Sequence, residues 1–143
     1  HTPDALENLL VSARSIRLEG ERIVLVFGCG GDRDRTKRAQ MGKIAAKYAD
    51  FVIATSDNSR SEDPMTILCE IEEGLGDCDH VIIKNRRHAI AFAIREAREG
   101  DIILLAGKGH EEYEIDRTGR HFFSEKEIVR EAAGKYRSER KKK

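Results

Sequence analysis

The sequence predicts an α/β domain built on a mostly parallel sheet, and three observations carry that expectation. The period of the apolar residues switches repeatedly between helix-like and strand-like along the chain. The strand-like runs are continuous rather than alternating, as in Ile23 to Phe27, which fits strands covered on both faces. The connections that follow several of these runs are short and rich in glycine and charge. At 143 residues the chain has the size of a single domain with one core.

Each element has a local reason. Thr2 before Pro3 is an N-cap and first-turn signature, the stripe Leu6, Leu9, Leu10, Ala13, Ile16 repeats at helical spacing, and Gly20 supplies a stop. The run Ile23 to Phe27 is a strand that opens into Gly28, Cys29, Gly30 and Gly31, followed by a helix over Arg38 to Tyr48. Phe51 to Thr55 is the second strand, and Pro64 begins a helix carrying Ile67, Leu68 and Ile71 that Gly74 and Gly76 close. Val81 to Ile83 is the third strand, His88 to Glu99 an amphipathic helix with Ala89, Phe92, Ala93 and Ala97 in register, and Asp101 to Ala106 the fourth strand. Tyr113 to Asp116 and His121 to Phe123 flank a turn at Arg117 to Arg120, and Ser124 with Glu127 forms a capping box for a last helix. Strand–helix alternation with short connections implies right-handed crossovers and helices on both faces. The expected architecture is therefore a Rossmann-like three-layer domain, with the C-terminal hairpin adding antiparallel edge strands.

Composition narrows the function classes. The 26 Lys plus Arg balance the 26 Asp plus Glu, so net charge offers no reason to expect nucleic-acid or membrane partners, and the basic tail Arg137 to Lys143 is short enough to be a solvated helix end. No apolar run approaches the roughly 20 residues of a membrane span. Cys29, Cys69 and Cys78 are odd in number, widely spaced and without a preceding cleavable signal, so unbridged thiols in a reducing cytoplasm are expected. Cys78 and His80 lack a second pair at zinc-site spacing, and the cysteines read as small buried hydrophobes with no metal among them.

In an open parallel sheet the ligand crevice lies beyond the carboxyl ends of the strands, so the three loops found there are the place to look. The first holds Gly28, Gly30 and Gly31 with Asp32, Arg33, Asp34, Arg35 and Lys37; Arg33 stands where a dinucleotide fingerprint has its third glycine, and no Walker pattern is present. The second offers Asp57, Asn58 and Arg60, a carboxylate, an amide and a guanidinium within four positions, with Asp63 as a cap for the next helix. The third reads Gly107, Lys108, Gly109, His110, Glu111. Each loop alone is compatible with a solvated turn whose charges pair with one another. Together their mixed signs favour a zwitterionic ligand, with arginines for carboxylates and acids for ammonium groups.

Gly28-Cys-Gly-Gly-Asp-Arg-Asp-Arg35 with Lys37, Asp57-Asn-Ser-Arg-Ser-Glu-Asp-Pro64 and Ala106-Gly-Lys-Gly-His-Glu111 resemble the C-terminal domain of the Mur ligases, within them the branch that adds meso-diaminopimelate. The resemblance covers nearly the whole chain, from His1-Thr-Pro-Asp-Ala-Leu6 onward. It implies ATP-dependent amide ligation in cytoplasmic peptidoglycan synthesis, in which a carboxylate of UDP-MurNAc-L-Ala-D-Glu becomes an acyl phosphate that the amino group of meso-diaminopimelate attacks with loss of phosphate. It also implies that the P-loop and the Mg²⁺ ligands belong to a central domain not represented in residues 1–143, so that the isolated chain is inactive, and that the protein is a monomer. By matching position, Arg33 and Arg60 would hold ligand carboxylates, Asp57, Asn58 and Ser59 would complete the recognition motif, and Gly107 and Glu111 would engage the distal end of the amino acid. His1 would belong to the nucleotide-contacting segment. Ser59 stands where the family motif usually has proline. Arg60 offers a cation to the extra carboxylate that distinguishes diaminopimelate from lysine, and Asn58 in place of Asp avoids opposing it. The competing class is a stand-alone α/β module that binds a nucleotide or another amino acid.

Overall fold

A computed structural model describes residues 2–108 and 113–141. The elements are α1 (Pro3–Ile16), β1 (Ile23–Phe27), α2 (Thr36–Tyr48), β2 (Phe51–Ala54), α3 (Pro64–Leu75), β3 (His80–Ile82), α4 (Arg86–Arg95), β4 (Ile102–Leu105), β5 (Tyr113–Asp116), β6 (Gly119–Phe122) and α5 (Glu125–Lys141). Strands β1 to β4 form one parallel sheet in the order β3-β2-β1-β4, with Leu25 facing both Val52 and Leu104 across the ladders. Because side chains alternate across a strand, β1 divides its residues between two cores. Ile23, Leu25 and Phe27 pack with Leu10, Ala45, Leu68 and Ile71 under α1, α2 and α3. Val24 and Val26 pack with Ile53, Ile90, Ala93 and Ile128 under α4 and α5. The three-layer α/β expectation holds.

The caps act as their stereochemistry requires. Thr2 Oγ1 accepts from Ala5 N at 3.1 Å, the Asp63 carboxylate from Met65 N at 2.9 Å, and Asn85 Oδ1 from His88 N at 3.0 Å. Ser124 Oγ accepts from Glu127 N at 3.4 Å.

Several expectations need correction. The cap at Asn85 starts α4 at Arg86 rather than His88, and the helix ends at Arg95, so Ala97 lies beyond it. Asp34, whose Oδ1 accepts from Thr36 N at 3.0 Å, brings α2 forward to Thr36. Strand β3 begins and ends one residue earlier than read. On α1, Leu6, Leu10 and Ala13 are buried while Leu9 and Ile16 face outward, because the helix meets its neighbours along a narrower stripe than the apolar residues suggest. The hairpin turns at Arg117 and Thr118 alone and forms its own two-stranded sheet instead of extending the main one. Its backbone is engaged elsewhere: Arg60 N donates to Ile115 O at 3.1 Å and Ile115 N to Asn58 Oδ1 at 2.9 Å, which docks β5 on the loop after β2. Of the cysteines only Cys29 is buried; Cys78 is partly buried, Cys69 is exposed, and all three are free.

Candidate functional site

Strand order reverses at β1: β2 and β3 lie to one side and β4 to the other, which puts a topological switch point at the carboxyl ends of β1 and β4. The loop after β1 there lies directly against the loop after β2. A Cβ on Gly28 would sit 2.2 Å from the Thr55 carbonyl oxygen, and one on Gly31 1.8 Å from that of Ser59, so only glycine permits this approach. Gly31 N donates to Asn58 O at 2.9 Å, and Arg60 Nη1 donates to Gly31 O at 2.9 Å. Asp32 accepts from Ser61 Oγ at 2.6 Å, and its own amide donates to Glu62 Oε1 at 2.7 Å. Asp32, Asn58 and Arg60 hold φ values of 54°, 43° and 53°, a left-handed backbone that non-glycine residues keep only where the surroundings fix it. The bonds between the two loops do that.

Beneath the loops lies a buried guanidinium. Arg38, 1% exposed, donates to Glu62 at 2.9 and 2.7 Å, to Glu70 at 3.2 Å and to the Gly30 carbonyl at 3.2 Å, while its Nε has no partner. Arg35 also pairs with Glu70. Hydrogen bonds from Arg38 and from the Asp32 amide hold the Glu62 carboxyl down at about 2. Arg86 performs a similar task between the ends of β2 and β4, donating to Glu125 at 3.0 Å, Ala106 O at 3.0 Å and Ser56 O at 3.4 Å. Sequence reasoning missed both arginines as structural centres. Arg38 was only a helix start and Arg86 lay in a connection. Their one sequence signal is a cation on the first turn of a helix, where the macrodipole disfavours it unless anionic partners compensate.

The third loop joins through Lys108. Its Nζ lies 3.0 Å from Asp57 Oδ1 with both side chains fully buried, 3.3 Å from Asn58 Oδ1 and 5.3 Å from the centre of the Phe123 ring.

These contacts surround a cleft of about 460 Å³ lined by Arg33, Asp34, Lys37, Asn58 and Arg60, with the buried Arg38 in its wall. A second, less polar cavity of about 210 Å³ adjoins it at Gly28 and Met41, with Leu6, Phe27 and Gly107 in its walls. The structure thus brings Arg33, Asn58 and Arg60 to one cleft and Gly107, at φ 118°, to its neighbour. Asp57 lies fully buried under the cleft against Lys108, and Ser59 is buried with its carbonyl turned toward Gly31. Glu111 and His1 lie outside the described residues. Cys29 is on the cleft wall, but burial pushes its thiol up to about 12, which leaves it un-ionised and a poor nucleophile at neutral pH. Among the described residues no three His, Cys, Asp or Glu side chains gather as a metal site, and no helix is long and apolar enough to cross a membrane.

Comparison with known proteins follows the same lines. Residues 1–109 match the family described as Mur ligase, glutamate ligase domain. The chain is 49% identical over 130 residues to the UDP-N-acetylmuramoyl-L-alanyl-D-glutamate--2,6-diaminopimelate ligase of Rickettsia prowazekii (strain Madrid E), a match spanning 91% of this chain and 27% of that protein. It is 53% identical over 133 residues to the enzyme of the same name from Synechocystis sp. (strain ATCC 27184 / PCC 6803 / Kazusa), spanning 92% and 26%. A solved structure of a UDP-N-acetylmuramoyl-L-alanyl-D-glutamate--2,6-diaminopimelate ligase superposes with a TM-score of 0.87 at 42% identity, over 94% of this chain and 28% of that one. The chain spans about a quarter of the length of the curated relatives it matches. With a family match across residues 1–109 and a shared fold, the chain belongs to the Mur ligase family through its glutamate ligase domain.

Proposed function

We propose that this chain is the amino-acid-recognition domain of a cytoplasmic, ATP-dependent ligase that joins meso-diaminopimelate to UDP-MurNAc-L-Ala-D-Glu in peptidoglycan synthesis. The observation that carries the reading is the cleft at the strand ends, where Arg33, Lys37 and Arg60 stand around one space with Asp34 and Asn58. Guanidinium and ammonium groups complement carboxylates, and Asp34 offers a counter-charge to an ammonium group, which together suit a ligand with two carboxylates and two amines. The names of the relatives support the same substrates. In this reading Arg33 and Arg60 contact the ligand directly, Gly107 and Glu111 meet its distal end, and Asp57 and Ser59 shape the turn from below. The described residues offer neither a phosphate-cradling Walker loop nor a cluster of metal ligands, so they do not fit a complete site for ATP and Mg²⁺. No step through either group is assigned to them; His1 is left with a contact to the nucleotide, and the remainder of both sites is placed in the longer protein.

The test is steady-state kinetics of the full-length protein with ATP, UDP-MurNAc-L-Ala-D-Glu and either meso-diaminopimelate or L-lysine. Turnover should favour diaminopimelate. Arg60→Ala removes a charge-assisted contact worth about 1.5–3 kcal/mol, so the amino-acid KM should rise roughly 10- to 150-fold while the ATP KM stays put. Equal movement of both KM values would reject a direct contact between Arg60 and the amino acid.

A further inference from the structure

We propose that Lys108 is a positioning residue for the cleft: its buried ammonium pins Asp57 and the Asn58 amide, and through them fixes the left-handed turn from which Arg60 reaches the ligand. The inference rests on the reading that the cleft takes a carboxylate-bearing amino acid, and it assigns the selectivity of that cleft to a residue lying beneath it.

The ammonium of Lys108 and the carboxylate of Asp57 are both fully buried at 3.0 Å, on loops that follow different strands, β4 and β2. Removing two charges from water offsets most of what their attraction returns, so such a pair is a weak source of net stability and a better device for fixing one arrangement. What it fixes here is visible in its neighbours. The same Nζ lies 3.3 Å from Asn58 Oδ1, and that oxygen also accepts from Ile115 N at 2.9 Å. Only an oxygen accepts two donors, so the orientation of the Asn58 amide is decided: its oxygen faces Lys108 and the hairpin, and its Nδ2, a donor alone, faces away from them. Asn58 sits at φ 43° and Arg60 at φ 53°, conformations that relax unless held. The Asn58 carbonyl accepts from Gly31 N at 2.9 Å and lies 3.4 Å from Arg60 Nη1, so displacing Asn58 displaces the guanidinium as well. Lys108 directly follows Gly107, at φ 118°, so its anchoring also sets the backbone beside the adjoining cavity. A neutral residue at 108 would leave Asp57 without its cation and the Asn58 amide with one fewer reason to face inward.

The test compares Lys108→Met, Asp57→Asn and the double variant in the full-length protein, reading thermal midpoint, amino-acid KM, ATP KM and the diaminopimelate-to-lysine ratio of kcat/KM. Lys108→Met alone takes the Lys108 cation away from the buried Asp57 carboxylate and loses stability. The double variant removes both charges at nearly constant volume, and its midpoint should return close to wild type. Its KM for diaminopimelate should nevertheless remain about tenfold or more above wild type, with the ATP KM unchanged and the selectivity ratio lowered. Return of both midpoint and amino-acid KM to wild type would show that Lys108 only balances a charge, and overturns the proposal. A double variant as unstable as Lys108→Met makes the pair a folding requirement and overturns it too. A second readout does not depend on turnover. In the full-length protein labelled with ¹⁵N at asparagine, the Asn58 side-chain amide should give one dispersed pair of signals that moves toward the free-amide position in the double variant. Unchanged signals overturn the proposal. Wild-type protein that turns over no diaminopimelate defeats the proposed function alone, and the amide spectrum still decides the role of Lys108.

Discussion

Gly31→Ala is the substitution the cleft should tolerate least. The added Cβ would lie 1.8 Å from the Ser59 carbonyl oxygen and 2.6 Å from its carbon, both backbone atoms that no rotamer change can move. Ordinary contact requires the two loops to separate by roughly 1.5 Å. That opening stretches the 2.9 Å bond from Gly31 N to Asn58 O beyond hydrogen-bonding range, and the 2.9 Å bond from Arg60 Nη1 to Gly31 O with it. A backbone bond contributes about 0.5–1.5 kcal/mol net and one from a charged donor about 1.5–3 kcal/mol. Both loops are at the surface and relax in part, so the expected loss is about 2–4 kcal/mol. Urea unfolding followed by circular dichroism measures it, with the midpoint falling and the slope unchanged because the surface exposed on unfolding is the same. In the full-length protein the amino-acid KM should rise alongside, because Arg60 loses the carbonyl that aims it. A Gly31→Ala chain within about 0.5 kcal/mol of wild type would refute the close approach of the loops as a structural requirement.

Three further outcomes follow from the same contacts. Glu62 is held near 2 from an ordinary 4.5, so its contribution is present above pH 4.5 and is lost as the pH falls from there toward 2; with its side chain 22% exposed this amounts to about 1–2 kcal/mol, and Glu62→Gln should flatten that acid limb of the stability curve. Gly134 lies within α5 with nothing near its absent Cβ, so Gly134→Ala should raise the unfolding free energy by about 0.5–1 kcal/mol, and a decrease would contradict an open helical site. Thiol titration of native protein should label exposed Cys69 first and Cys29 last, with three thiols after denaturation; early modification of Cys29 would contradict its burial.

The sequence by itself determined much of what neighbours in the chain carry. Doubly buried strands show as the unbroken run Ile23 to Phe27, and caps show at Thr2 and Asp63 because one side chain satisfies an amide two or three residues away. The three charged loops stand at strand ends because parallel strands joined by right-handed crossovers all finish at the same edge. Tertiary structure decided the rest. The order β3-β2-β1-β4 depends on which strands meet after the helices pack, and β5 left the main sheet because Asn58 and Arg60 took its backbone groups. Asp57 and Asn58 read in sequence as two polar groups of one motif; in the fold the carboxylate is spent on Lys108 and the amide oxygen on Lys108 and Ile115. Arg38, Arg86 and Lys108 are buried because a charge leaves water only where counter-charges await it, and theirs arrive from Glu62, Glu125 and Asp57, 24, 39 and 51 residues away.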